Sequence, residues 1–132
     1  LLTQNGIGQS TCVSIGGDPL VGSDFIHVFR LFQEDSQTLA VTLYCEPGGG
    51  MEEEFAKFYA AQEAPKPVVA FVAGRFVDAM PGTRFGHAGV IVDGDRGSTR
   101  MKTKCLDEAG VHVAKQVSDL PGILNRVIKG VL

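Results

Sequence analysis

Three cysteines, Cys12, Cys45 and Cys105, are too widely spaced and odd in number to build a disulfide framework, and none forms a Cys-x-x-Cys pair. They fit a reducing, intracellular setting, where a free thiol behaves as a small hydrophobe. The sequence has no run of lysine and arginine, and 12 basic against 15 acidic side chains leave a net charge of −3. That balance excludes the basic stripe of a nucleic-acid binder and implies no basic partner. The longest apolar run, Pro67 to Ala73, is far too short to span a bilayer. Leu1 to Asn5 lack the charged and apolar regions of a signal peptide. His27, His87 and His112 have no metal-ligand spacing with one another, with cysteine or with carboxylates, so no metal site is assigned.

What is present is a globular pattern. The 132 residues are 44% hydrophobic, enough for one domain with a sizeable core. Thr11 to Ile15 reads as a strand ending in the turn Gly16-Gly17-Asp18-Pro19. Ser23 or Asp24 caps a helix with the stripe Phe25, Val28, Phe29 and Phe32, which leaves His27 on the surface. Leu39 to Cys45 is nearly continuous in apolar residues, the mark of a strand buried on both faces, and ends in Glu46-Pro47-Gly48-Gly49-Gly50. The helix from Met51 to Gln62 opens with Glu52, Glu53 and Glu54, whose charge complements the positive end of the helix dipole. Its stripe is Phe55, Phe58 and Tyr59.

Val68 to Ala73 reads as a third buried strand, followed by a long connection from Gly74 to Gly89. Connections of that length are usually functional. Val90 to Val92 is a short strand or a packed turn. Ser98 caps a helix to about Ala109, Val111 to Ala114 is a fourth strand with His112 half-buried in it, and Ser118 caps the last helix. Strands alternating with helices over short connections predict an α/β domain, doubly wound and flavodoxin-like, with three layers and a mostly parallel sheet.

In such sheets, sites form beyond the carboxyl ends of the strands. Three unusual stretches follow strand ends: Gly16-Gly17-Asp18, Glu46 to Gly50, and the loop Gly86-His87-Ala88-Gly89. Small neighbours leave the His87 imidazole open to a ligand or a phosphoryl group. On the local sequence alone the plainer reading is an exposed polar loop residue. Glu46 is the first polar residue after a buried strand. It reads equally as a turn residue pairing with a nearby cation, or as a carboxylate that accepts the Nδ1 proton of His87 and makes Nε2 a better nucleophile. A charge-assisted bond of that kind contributes about 1.5–3 kcal/mol.

At these residues the chain resembles the C-terminal ligase domain of succinyl-CoA synthetase α subunits, in the family of NDP-forming acyl-CoA ligases. The matching stretches are Gly6 to Ser10, Ile15 to Pro19, Glu46 with its glycines and Glu52-Glu53-Glu54, Lys66 to Val69 with Ala73-Gly74, Gly86 to Gly89, and Leu106 to Val113. The resemblance runs along essentially the whole chain, in order. It implies catalytic roles for His87, as phosphohistidine, and for Glu46, which orients and activates it. It also implies a phosphate edge at Gly16, Gly17 and Gly86. The cofactors implied for the assembled enzyme are coenzyme A, ATP or GTP, and Mg2+. The partners implied are an ATP-grasp β subunit and a carboxylic acid substrate. The compartment implied is the cytoplasm of a prokaryote or the mitochondrial matrix of a eukaryote.

Two stretches depart from the family pattern. The usual Gly-Glu-Ile-Gly-Gly is here Cys45-Glu46-Pro47-Gly48-Gly49, and Arg75 to Phe85 differs in length and composition. Both lie beside the implied site, which leaves malate or citrate open as the acid beside succinate. They also leave open a CoA-ligase-like domain that binds without catalysing. A receiver-type or flavin-binding domain is disfavoured, because neither paired acids after the first strand nor a hydroxyl-rich phosphate loop is present. The chain starts at Leu1 without an initiator methionine, and is read as one domain, residues 1–132, shortened at its N-terminal end and inactive by itself.

Overall fold

A computed structural model of the chain describes residues 1–18, 20–80 and 97–131. The order of elements is α1 (Phe25–Glu34), β1 (Val41–Cys45), α2 (Met51–Ala60), β2 (Val68–Val72), α3 (Thr99–Glu108), β3 (His112–Ala114) and α4 (Leu120–Lys129). Short 3-10 turns occupy Thr3–Asn5, Arg75–Ala79 and Val117–Asp119. The three strands form one parallel sheet in the order β1-β2-β3. Val41 to Cys45 run alongside Val68 to Val72, and Val69 to Phe71 alongside His112 to Ala114.

The sheet is the middle of three layers. On one face Val41, Leu43, Cys45, Val68, Ala70 and Val72 pack against α1, α2 and α3. Phe29 of α1 meets the rings of Phe55 and Tyr59 of α2 edge-on, at centroid distances of 5.4 and 5.6 Å. On the other face Val69 and Ala114 pack under Leu120 and Leu124 of α4, with Leu2 and Ile7 alongside. The alternation of these two side-chain sets along β2 is why that strand is apolar at every position. The predicted α/β class and parallel sheet are therefore observed.

Helix starts follow their side chains. Asp24 accepts a bond from the His27 amide at 2.7 Å, and Ser98 one from the Met101 amide at 3.1 Å. Lys66 ties the end of α1 to the entry of β2 by donating to the Phe32 and Asp35 carbonyls, the former at 2.7 Å.

Several expectations are corrected. Thr11 to Ile15 is β-prone but pairs with no strand among the described residues, and its residues are mostly exposed. Among the described residues β1 is therefore an edge strand, and it is not buried on both faces: Tyr44 is 66% exposed. His112, the first residue of the short strand β3, is exposed rather than half-buried. Cys12 is exposed, whereas Cys45 is buried. The last helix starts at Leu120, not after a Ser118 cap: Gln116 and Asp119 close a 3-10 turn and Pro121 lies in the first turn of the helix. His27 is exposed, as read. Val90 to Val92 lie outside the described residues.

Candidate functional site

The parallel sheet gathers its carboxyl ends at one edge, and the loop from Glu46 to Gly50 leaves that edge from the outer strand β1. The last β1–β2 bond runs from the Ala73 amide to the Cys45 carbonyl at 2.9 Å. Beyond it, among the described residues, the loop is held by packing, by side chains and by a main-chain bond to Gly97 outside the sheet.

Two glycines press on this loop. Gly74, at φ +77°, lies against Pro47: a Cβ there would fall 2.5 Å from Pro47 Cγ. Gly97, at φ +74°, lies against the other half: a Cβ there would fall 2.7 Å from the Gly49 carbonyl oxygen. The Gly48 amide donates to the Gly97 carbonyl at 2.8 Å, and the Gly97 amide donates to Glu53 Oε1 at 3.1 Å. Both positions demand a left-handed backbone and close approach, so only glycine fits. Pro47 and Gly48 are buried, and Glu46 is exposed at the rim.

Beneath the loop lies a buried ion pair. Lys102 of α3 is 1% exposed, and its ammonium donates to Glu52 Oε2 at 2.6 Å, to the Glu46 carbonyl at 2.8 Å and to the Gly48 carbonyl. Three donors meet three acceptors, which is the complete requirement of a buried ammonium. Burial pushes the Glu52 carboxyl above its ordinary range, while Lys102 draws it back down. Burial likewise pushes the neighbouring Cys45 thiol up, so it is an inert, protonated core residue.

The helix-start acids of α2 therefore do more than complement a dipole. Glu52 is the counter-ion of Lys102 and Glu53 binds the start of α3, while Glu54 is exposed. Sequence reasoning missed Lys102 altogether. Its signal was its position: Thr99, Lys102 and Leu106 recur at helical spacing, and all three are buried.

A second tie joins the start of α3 to the connection after β2. Asp78 accepts from the Thr99 amide at 2.9 Å, the Thr99 hydroxyl at 2.5 Å and the Arg100 amide at 3.0 Å. Burial alone would raise the Asp78 carboxyl, but the bonds from Thr99 and Arg100 outweigh it and hold the carboxyl below its ordinary range.

Of the residues expected at the site, Glu46, Gly16 and Gly17 line one groove of about 1170 Å³ that runs along the open edge of β1. Gly16 and Gly17 follow no strand end, since Thr11 to Ile15 form no strand, so the groove and not a shared sheet edge is what they have in common with Glu46. Gly86 and His87 lie outside the described residues. No group of three or more His, Cys, Asp or Glu side chains comes together among the described residues. No helix among them is long and apolar enough to cross a membrane.

Comparison with known proteins places this architecture. The CoA-ligase family profile matches residues 1–115. A succinate–CoA ligase [ADP-forming] α subunit of Archaeoglobus fulgidus is 47% identical over 128 residues, covering 97% of this chain and 43% of the relative. The corresponding subunit of Staphylococcus epidermidis is 46% identical over 119 residues, covering 90% of this chain and 38% of the relative. Among solved structures, a mutant ATP citrate lyase of Methanosaeta concilii in complex with (3S)-citryl-CoA superposes with a TM-score of 0.78 at 25% identity, covering 89% of this chain and 19% of that one. The chain thus spans about two fifths of the length of these curated relatives.

Proposed function

Because the chain belongs to the CoA-ligase family, we propose that it is the phosphohistidine-carrying domain of a succinyl-CoA synthetase-like acyl-CoA ligase. The overall reaction joins a carboxylic acid to coenzyme A while a nucleoside triphosphate is cleaved to diphosphate and phosphate, and it runs in both directions. The observation that carries this reading is the 47% identity, over nearly the whole chain, to a succinate–CoA ligase α subunit.

His87 is the phosphoryl carrier. Its neutral Nε2 attacks the γ-phosphorus of the triphosphate, the bond to the bridging oxygen breaks, and the diphosphate leaves. A carboxylate oxygen of the acid then attacks that phosphorus and the N–P bond breaks, giving an acyl phosphate and free imidazole. The thiolate of coenzyme A attacks the acyl carbon, and inorganic phosphate leaves with the C–O bond electrons. Glu46 accepts the Nδ1 proton, fixing the tautomer and stabilising the cation that forms when Nε2 is phosphorylated. Its position supports this role: it is the first residue beyond β1, on a loop locked from both sides by glycine contacts and from below by Lys102. Gly16, Gly17 and Gly86 supply a phosphate edge without side-chain obstruction. The nucleotide would be bound by an ATP-grasp β subunit, where magnesium would supply charge neutralisation for its phosphates. No magnesium ligand is assigned to this chain, since the described residues bring no three acidic or histidine side chains together.

The test is phosphorylation of the full-length α chain, with its β partner, by γ-labelled ATP or GTP. Acid-labile, base-stable label that disappears in His87→Ala is expected. An unlabelled wild-type enzyme with an active partner refutes the carrier role and leaves a binding domain. Glu46→Gln is expected to slow labelling roughly tenfold to a hundredfold without loss of fold, the usual scale for losing an orienting partner. A second reading, in which the acid is citrate, draws on the likeness to ATP citrate lyase.

A further inference from the structure

We propose that Lys102 is a positioning residue for Glu46, holding the carboxylate at the sheet edge by fixing the main chain on both sides of Pro47. This rests on the assignment of Glu46 to the phosphohistidine step.

The argument begins where the sheet ends. Cys45 is the last β1 residue whose carbonyl is paired across to the chain following β2. The next carbonyls, of Glu46 and Gly48, lie beyond the ladder, and both accept from the one ammonium of Lys102. The peptide planes that follow Glu46 and Gly48 are thereby set in orientation, and Pro47 between them is itself fixed at φ by its ring. Setting them sets the direction in which the Glu46 side chain leaves the backbone. The third N–H of Lys102 goes to Glu52 in the first turn of α2, so the far end of the loop is tied to the same atom. The ammonium is a single node joining the end of β1, the start of α2 and the body of α3.

A purely structural filler would not need this chemistry. The site is apolar on its sheet side, with Cys45 buried there. An apolar side chain of similar volume facing an uncharged residue 52 would pack without the burden of desolvating two charges. What such a replacement cannot do is hold two carbonyl oxygens. The separation of these roles gives the test.

Lys102→Met alone leaves an ionised carboxylate buried and unpaired, and is expected to lose the fold. The informative variant is therefore the double substitution Lys102→Met with Glu52→Gln, made in the full α chain assembled with its β partner. Thermal unfolding reports whether the fold survives. Single-turnover labelling by γ-labelled nucleotide reports the phosphoryl step, at saturating nucleotide and as a function of its concentration. The double variant is expected to remain folded, to keep the nucleotide concentration dependence of the wild type, and to label at least tenfold more slowly. Adding Glu46→Gln to it is expected to slow labelling no further, because the carboxylate is already misplaced. A folded double variant that labels at the wild-type rate overturns the proposal. So does a triple variant in which the two losses multiply, since independent effects mean Lys102 does not act through Glu46. If the double variant does not fold, Lys102→Arg carries the same comparison. It keeps the charge against Glu52, but its planar fork cannot reproduce three convergent N–H directions. Wild-type enzyme that takes no label overturns the underlying reading and this proposal with it. Wild type that labels with unaffected Lys102 variants overturns this proposal alone.

Discussion

Gly97 and Gly110 share a left-handed backbone, at φ +74° and +87°, but not a neighbourhood. A Cβ at Gly97 would lie 2.7 Å from the Gly49 carbonyl oxygen, whereas nothing lies within 4 Å of one at Gly110. The left-handed conformation alone costs a non-glycine residue about 1–2 kcal/mol, and that is the expected penalty of Gly110→Ala. Gly97→Ala adds overpacking against main chain that cannot rotate away, which costs a further 1–3 kcal/mol or so. Urea midpoints of the two variants measure the difference. Equal midpoints would mean that the loop yields, and that the contact between Gly97 and the Glu46–Gly50 loop does not lock the site. The close approach at Gly97 was not legible in the sequence. A glycine before a serine cap reads as an ordinary loop residue, and only the fold brings residue 97 onto residues 48 and 49.

Three strands and most helix boundaries were legible, and for the helices the reasons are local. α1 follows a cap at Asp24 and the stripe of Phe25, Phe29 and Phe32, both encoded within ten residues. α3 follows Ser98 in the same way. Thr11 to Ile15 failed as a strand for the opposite reason: β-propensity describes a residue's fit to a pleated surface and does not provide the neighbouring strand. Long-range ties were equally invisible, including Asp78, which reads as a polar residue in a connection but serves the first amides of α3. Asp78→Ala is expected to destabilise the protein by about 1 kcal/mol at neutral pH, the usual worth of an oxygen at a helix start. The figure stays at that level because the carboxylate is exposed and screened. The pH dependence follows from the direction of its shift. A carboxyl held below its ordinary range stabilises the fold above the unfolded-state value and loses that contribution as pH falls through the folded-state value. The gap between wild type and Asp78→Ala, followed by denaturant titration, should therefore narrow in acid. A gap that stays constant from neutral pH into strong acid would remove the charge from the account.

At the scale of the whole molecule, three helices cover one face of the sheet, while α4 and the N-terminal segment cover the other less completely. The edge strand β1 borders the groove that Glu46, Gly16 and Gly17 share. The Glu46 loop is held from within this chain, by Lys102, Glu53, Gly74 and Gly97. The two kinds of relative are named for different acids, a succinate–CoA ligase at 47% identity and an ATP citrate lyase at 25%. The proposed cycle offers a way to separate them without nucleotide. Run backwards, phosphate attacks the acyl carbon of the thioester and coenzyme A leaves as thiolate. Nε2 of His87 then takes the phosphoryl group from the acyl phosphate and the acid departs. Labelled inorganic phosphate with succinyl-CoA should therefore place acid-labile label on the assembled enzyme, while the same phosphate with citryl-CoA should not. A rate ratio of at least a hundredfold is the scale that one misplaced polar group in a substrate pocket imposes, roughly 3 kcal/mol. Label from citryl-CoA alone would transfer the substrate assignment to citrate and keep the carrier. Label from neither, in an enzyme that labels with ATP or GTP, would leave the carrier in place and exclude both acids.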